Sequence, residues 1–162
     1  DVSGLQWPCP DEQHPGTTIL HRDTFPIGPR AALRRIDYHA TPEVVSPDYP
    51  FRLMTGRTLY AFNAGTMTQR TPNRSLRPTD TLDICAADAQ RLGLADRERV
   101  RVRSRHGETL LPVRVSASVK TGELFATFHD PAVCLNNLTS PQRDRFVKTP
   151  EYKVTAVRIE RI

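Results

Sequence analysis

The stretch RVRVRSRHGETLLPVRV, residues 99–115, decides the fold class of this 162-residue chain. Valine or serine at positions 100, 102 and 104 alternates with arginine, which is the period of a half-buried β-strand. His106 and Gly107 predict a turn, after which Leu111, Val113 and Val115 carry the same alternation back. The stretch therefore predicts a β-hairpin that turns its apolar face to a core and its arginine face to solvent.

Shorter apolar segments on both sides of the hairpin predict further strands, over residues 50–54, 81–84, 124–128 and 153–159. Residues 86–92 predict a short helix that ends at Gly93. Long polar loops, 55–72 and 129–151, separate these elements. Many short strands and few helices predict a mainly β fold with short helices, a β-barrel with helical insertions, and argue against a Rossmann sheet.

The first 48 residues differ in composition from the rest of the chain. Prolines at positions 8, 10, 15, 26, 29 and 42 disfavour long regular elements, although the sequence allows a short helix over 31–36. We therefore predict an irregular proline-rich arm or linker over residues 1–48 and one barrel domain over residues 49–162.

Charge and cysteine content exclude several classes of protein. The net charge is +5, and most arginines stand among acidic neighbours rather than in a basic run, so we expect no nucleic-acid tail. The three cysteines, at 9, 85 and 134, form no CxxC pair, which argues against a disulfide framework, an iron–sulfur cluster or a zinc site and favours the cytoplasm. No apolar run is long enough for a membrane segment. The chain begins with Asp, so we expect it to be part of a longer polypeptide.

The sequence offers no recognisable catalytic or metal-binding group. It has no G-x-S-x-G motif, and its histidines lack metal-ligand spacing. Asp80 and Asp83, on either side of Leu82, could serve as an acid–base pair, but carboxylates at a strand start are usually turn and cap residues. His129, at the end of a strand and facing a polar loop, is the best single candidate for contact with a ligand.

The loop after the first predicted strand is rich in hydrogen-bond donors. Thr55, Gly56, Arg57 and Thr58 combine hydroxyl groups, an open backbone and a guanidinium fork. Such a set suits a pyrophosphate or a guanine without needing a Walker motif.

Five segments in order carry a family resemblance: YPFRLMTGRTLYAFNAGTMTQRTP, DAQRLGLADRERVRVRSRHGE, GELFATFH, NNLTSP and KTPEYKVTAVRIE. They resemble the C-terminal domain of molybdopterin-dependent oxidoreductases of the dimethyl sulfoxide reductase family, in particular formate dehydrogenases and assimilatory nitrate reductases. The resemblance implies a double-psi β-barrel that binds molybdopterin guanine dinucleotide. It implies no catalytic residue and no metal ligand in this chain, because molybdenum or tungsten is bound by the parent enzyme.

The same resemblance assigns cofactor contacts residue by residue. They are Thr55, Gly56, Arg57, Thr58, Leu59, Tyr60, Asn63, Ala64, Phe128, His129, Asn136 and Lys153. The family commonly has two histidines where this chain has Ala61-Phe62-Asn63, so contacts there depend on the backbone or on other side chains. The implied partners are upstream catalytic and iron–sulfur domains of one polypeptide, most directly a formate dehydrogenase alpha subunit, and other oxidoreductase subunits.

A stand-alone double-psi barrel for protein or nucleic-acid recognition is the alternative. It would use the arginine face of residues 99–105. A self-processing decarboxylase on a similar barrel needs a Gly-Ser bond, and the sequence contains none.

Overall fold

The computed structural model describes residues 4–25, 28–30 and 33–162 and divides the chain into two units, Asp1–His39 and Ala40–Ile162. The described part of the first unit contains no helix. Its backbone is tied locally, since the Thr17 amide donates to the Gln6 carbonyl at 2.8 Å. Of the helix considered over 31–36, positions 31 and 32 lie outside the described residues, and 33–36 are not helical.

The second unit is a closed β-barrel. Its described strands are β1 (Phe51–Gly56), β2 (Leu82–Ile84), β3 (Arg99–Ser104), β4 (Glu108–Val115), β5 (Glu123–Thr127) and β6 (Val154–Arg161). One α-helix, α1 (Ala86–Leu92), and three 3-10 turns, Thr68–Arg70, Pro72–Ser75 and Leu135–Leu138, connect the described strands. Around the barrel the strands follow the order β1-β5-β2-β4-β3-β6. The mainly β, double-psi β-barrel prediction is confirmed as a closed barrel of six strands within the described residues.

Strand pairing is mixed, and this places loops from distant parts of the sequence at one rim. β1 runs parallel to β5, and β2 runs parallel to β4, while the other neighbours are antiparallel. Parallel strands end on the same side of a sheet, so the loops that follow β1 and β5 leave the barrel together.

Alternation along each strand fills the barrel interior. The predicted β3–β4 hairpin is confirmed, with Val100, Val102, Leu111 and Val113 fully or almost fully buried. The core also takes in Phe51, Leu53, Leu82, Ile84, Leu124, Ala126 and Val157. Burial of such side chains is the main force that holds a small barrel together.

The arginine face of the hairpin is outside the barrel and is largely neutralised by its own carboxylates. Arg103 lies 2.9 Å from Glu108 and 3.6 Å from Glu160, and Arg101 lies 3.5 Å from Glu108. Arg105 lies 3.7 Å from Glu43. Cations paired in this way have little charge left to attract phosphates, so the face does not favour the nucleic-acid alternative.

The second unit begins earlier than the composition predicts. Glu43, which the sequence assigns to the arm, is only 5% exposed. It accepts a hydrogen bond from the Ala156 amide at 3.1 Å and lies 2.7 Å from His106. Residues 40–48 are therefore anchored to the barrel by a buried carboxylate, which composition alone does not reveal.

Candidate cofactor-binding site

The ends of β1 and β5 form the foundation of the site. Gly56 at the end of β1 pairs with Thr127 at the end of β5. A Cβ at position 56 would lie 2.5 Å from the ring of Phe125, so this aromatic side chain occupies the space that any larger residue would need. Because Gly56 has no side chain, the Phe125 ring has room to lie at the rim where the polar loop begins.

A cleft of about 370 Å³, here called the strand-end cleft, opens at this rim. It is lined by Met54, Arg57, Thr58, Leu59, Tyr60, Arg77, Asp83, Arg114, Ser118, Val119 and Phe125. Three guanidinium groups and one carboxylate face a mixed apolar and hydroxyl lining. The cleft is therefore positively charged and suited to an anion with an apolar or planar part.

Asp83 organises two of these three guanidinium groups. Arg114 donates to Asp83 through Nε at 2.7 Å and through a second, shorter contact, and Arg77 lies 3.8 Å from the same carboxylate. Burial and the positive charge of Arg114 lower the pKa of Arg77, whereas the hydrogen bonds to Asp83 raise the pKa of Arg114. Arg57 is exposed, and within the described residues no carboxylate pairs with it. Arg57 is thus the guanidinium that remains available to a ligand.

The polar loop itself surrounds a second opening of about 480 Å³, the loop groove. Its lining is Arg57, Thr58, Leu59, Tyr60, Ala61, Phe62, Asn63, Thr68 and Asn73. The Phe62 amide donates to the Thr68 hydroxyl at 3.0 Å, and Asn63 has a positive φ of 51°. The Leu59 side chain is 99% exposed. The predicted residues from Arg57 to Tyr60 line both the strand-end cleft and the loop groove.

A third opening, the Asn136 cleft, has a volume of about 310 Å³. It brings together Ala64, Phe128 and Asn136, which the sequence predicts as contacts from three separate segments. The rest of its lining is Gly65, Thr66, Gln69, Arg70, Asp130, Pro131, Cys134 and Leu135. Side-chain amides and one guanidinium at an apolar wall are suited to the polar edge of a base.

Lys153 and Thr55 meet behind the loop. The Lys153 ammonium lies 3.4 Å from the Thr55 carbonyl oxygen and 5.7 Å from the centre of the Phe128 ring. Thr55 is buried, and its hydroxyl donates to the Tyr152 carbonyl at 2.6 Å. Thr55 therefore fixes the start of the last strand, and Lys153 provides a positive charge beside Phe128.

His129 occupies a different environment from the other predicted contacts. Its ring is 1% exposed and lines none of the three openings. Nδ1 lies 2.6 Å from Asp80, and Nε2 lies 2.9 Å from the Arg77 carbonyl oxygen. Both ring nitrogens thus face acceptors of the protein itself, although Nδ1 makes no hydrogen bond.

Several lining residues are missed by sequence reasoning. Arg77, Arg114 and Phe125 belong to no local motif, and Arg114 resembles any outward arginine on an alternating strand. Asp83 is recognised only as a carboxylate near a strand start. The signal that could have found Arg114 is the parallel register that sets it beside Asp83, and this register is not local in sequence.

The donor set fits a large anionic dinucleotide. Arg57, Thr58 and the open backbone after Gly56 provide donors for phosphate oxygens, and Asn63 and Asn136 provide amides for a base. In the part of the chain that the structure describes, no group of three or more His, Cys, Asp or Glu side chains is arranged to hold a metal ion. None of the described helices combines the length and hydropathy needed to cross a bilayer.

Comparison with known families gives a match to the one described as "Molydopterin dinucleotide binding domain", over residues 51–156. That range begins with β1 and ends within β6, so it covers β1 to β5 and the start of β6.

Relatives of known activity are longer proteins. The chain is 38% identical to F420-dependent formate dehydrogenase subunit alpha of Methanocaldococcus jannaschii, over 99% of this chain and 24% of that protein. It is 31% identical to periplasmic nitrate reductase of Desulfovibrio desulfuricans, over 98% of this chain and 23% of that protein. Among solved structures, acetylene hydratase from Pelobacter acetylenicus superposes with a TM-score of 0.60 at 18% identity, over 70% of this chain and 18% of that one. The last likeness supports the fold.

Proposed function

This chain belongs to the molybdopterin dinucleotide-binding domain family, and from that premise we propose that the rim formed by β1, β5 and the polar loop holds molybdopterin guanine dinucleotide. The observation that carries the proposal is the exposed Arg57 beside Gly56, next to two guanidinium groups already paired with Asp83. When bound, the cofactor supplies the redox chemistry, and the protein supplies binding and orientation.

Each part of the rim has a distinct task in this proposal. Arg57 directs two parallel N–H groups at phosphate oxygens, and the Thr58 hydroxyl adds a donor. Asn63 and Asn136 read the polar edge of the guanine, while Leu59 and Tyr60 cover its apolar faces. Lys153, held near Phe128, adds a point charge. Asp83 keeps Arg77 and Arg114 in place, so that the cleft remains positive without a mobile cation.

We further propose that the chain is the cofactor domain of the alpha subunit of a formate dehydrogenase. The chain spans about a quarter of the length of the formate dehydrogenase relatives that it matches, 24% in each case. Upstream domains of the same polypeptide would then hold molybdenum or tungsten and the iron–sulfur clusters, and other subunits would exchange electrons with them. The free thiols of Cys9, Cys85 and Cys134 support a reducing, cytoplasmic setting.

The test uses the full-length protein with Arg57→Ala. Loss of a charge-assisted hydrogen bond of about 1.5–3 kcal/mol should lower the content of bound cofactor roughly tenfold or more under limiting supply. Molybdenum or tungsten and released guanine nucleotide are measured per mole of purified protein, together with the melting temperature. We expect lower occupancy with an unchanged fold.

Arg101→Ala is the matched control, since Arg101 lies on the outer face of β3 and is 39% exposed. It should keep full occupancy. If Arg57→Ala keeps full cofactor occupancy and Arg101→Ala loses it, the proposal has assigned the site to the wrong face of the barrel.

A further inference from the structure

A fully buried carboxylate lies just before β2, outside the three openings. Asp80 is 0% exposed and accepts hydrogen bonds from the Thr127 hydroxyl at 2.7 Å, the His129 amide at 2.9 Å and the Asp130 amide at 3.1 Å. These donors follow one another at the end of β5. Asp80 therefore fixes the backbone on which Phe128 and Asp130 stand, and both residues line the Asn136 cleft.

The ring of His129 also contacts this carboxylate. Its Nδ1 lies 2.6 Å from Asp80 Oδ1, and its Nε2 lies 2.9 Å from the Arg77 carbonyl oxygen. The Nδ1 contact does not count as a hydrogen bond, although its distance to the carboxylate is that of an ion pair. A carboxylate and a carbonyl are both acceptors, and a ring that donates to both carries a proton on each nitrogen.

The polar loop rests on the same residue. A Cβ at Gly65 would lie 2.9 Å from the His129 carbonyl oxygen, so the loop backbone packs directly against it. The Gln69 side chain donates to that carbonyl oxygen at 3.4 Å. On the other side, His129 holds the carbonyl of Arg77, whose side chain lines the strand-end cleft. His129 thus contacts residues that line the strand-end cleft on one side and residues that line the Asn136 cleft on the other.

We propose that Asp80 and His129 form a buried ion pair that positions the polar loop, so that the two clefts keep the spacing the dinucleotide needs. His129 is then a positioning residue and makes no side-chain contact with the ligand. The inference rests on the proposed function of the rim. Arg77 and Asp130 contact the pair through their backbone, and the Arg77 guanidinium lies 3.8 Å from Asp83.

The first experiment compares Asp80→Asn with the wild-type full-length protein by amide hydrogen exchange and by guanine nucleotide release. Asn keeps the size of the side chain but removes the counter-charge. Exchange of the amides of residues 65–69 should become about tenfold faster, the scale set by hydrogen bonds to charged groups. Nucleotide retention should fall, while the amides of β3 and β4 should exchange as before.

Glu43→Gln is the matched control. Glu43 is also a buried carboxylate facing a histidine, with Glu43 Oε1 2.7 Å from His106 Nε2, but it contacts none of the predicted cofactor residues. It should lower the melting temperature without faster exchange in 65–69 and without loss of nucleotide. Equal effects of Asp80→Asn and Glu43→Gln on all measurements would reduce Asp80 to a general stabilising group and overturn the proposal.

The second experiment tests the pairing and does not require Asp80→Asn to fold. In the wild-type protein with ¹⁵N-labelled histidine, both ring nitrogens of His129, identified by their loss in His129→Gln, should show protonated shifts at neutral pH. A single protonated nitrogen would overturn the ion pair. Where the Asp80→Asn/His129→Gln double variant can be measured, its loss of nucleotide should be smaller than the product of the single losses. If the wild-type protein releases no guanine nucleotide, the proposed function fails, whereas the histidine shifts and the exchange data still decide the ion pair.

Discussion

At the scale of single residues, buried carboxylates hold separate segments of this barrel together through hydrogen bonds. Asp80, Asp83 and Asp88 are all buried, and each is compensated by specific donors. Asp88 accepts from the Arg91 guanidinium at 2.7 Å, from the Gly122 amide at 2.7 Å and from the Cys85 thiol at 3.4 Å. It thereby ties α1 to the turn before β5. Burial alone would raise the pKa of Asp88, yet these hydrogen bonds hold it below its ordinary value.

Asp88→Asn should therefore change the response of this chain to acid. A carboxylate with a depressed folded-state pKa stabilises the fold above its unfolded pKa of about 3.9 and loses that contribution as the pH falls below it. At neutral pH the variant should be less stable by about 1.5–3 kcal/mol, the size of a charged hydrogen bond. Denaturant melts from neutral to acid pH should show the two proteins converging. Asp48→Asn, at an exposed position, should lose stability in acid to the same extent as the wild type.

At the scale of elements, α1 ends where the sequence predicts because Gly93 adopts a left-handed conformation, with φ 65°. Its amide donates to the Gln90 carbonyl at 3.1 Å, which closes the last turn. A Cβ there would meet only the Arg161 guanidinium at 3.8 Å, so space is not the constraint. The constraint is the backbone, and the return of the chain to Leu94 in the core depends on it.

Gly93→Ala should therefore destabilise this chain by about 1–2 kcal/mol, the energy of the left-handed region for a residue with a Cβ. Gly93→Asn should be less destabilising, because Asn tolerates this conformation better. Chemical denaturation of the three proteins measures the order. Equal stability of the Ala and Asn variants would show that the left-handed backbone does not set the preference for glycine.

At the scale of the whole molecule, the chain combines many ligand donors with no metal-holding group of three or more His, Cys, Asp or Glu side chains among the described residues. The isolated chain should therefore purify colourless and free of molybdenum, and it should neither oxidise formate nor reduce nitrate with artificial electron carriers. Metal analysis and activity assays check this expectation. Stoichiometric molybdenum or iron on the isolated chain would contradict it.

The local elements of the fold could be read from the sequence because they depend on neighbours along the chain. The β3–β4 alternation, the turn at His106 and Gly107, and helix Ala86–Leu92 with its glycine stop are all confirmed. The family could also be predicted, since five short motifs kept their order. The predicted cofactor residues remain a proposal, although the structure gathers Ala64, Phe128 and Asn136 into one cleft.

The sequence by itself determined the hairpin, the helix and the chemistry of the polar loop, because periodicity, capping and donor content are properties of contiguous residues. Only the tertiary structure decided that Arg114 meets Asp83 and that Asp80 binds the end of β5. It also decided that His129 points inward, although its position after a strand predicted a ligand contact. The physical reason is that these contacts follow from parallel pairing and barrel closure, which join segments about 30 to 50 residues apart and leave no local pattern.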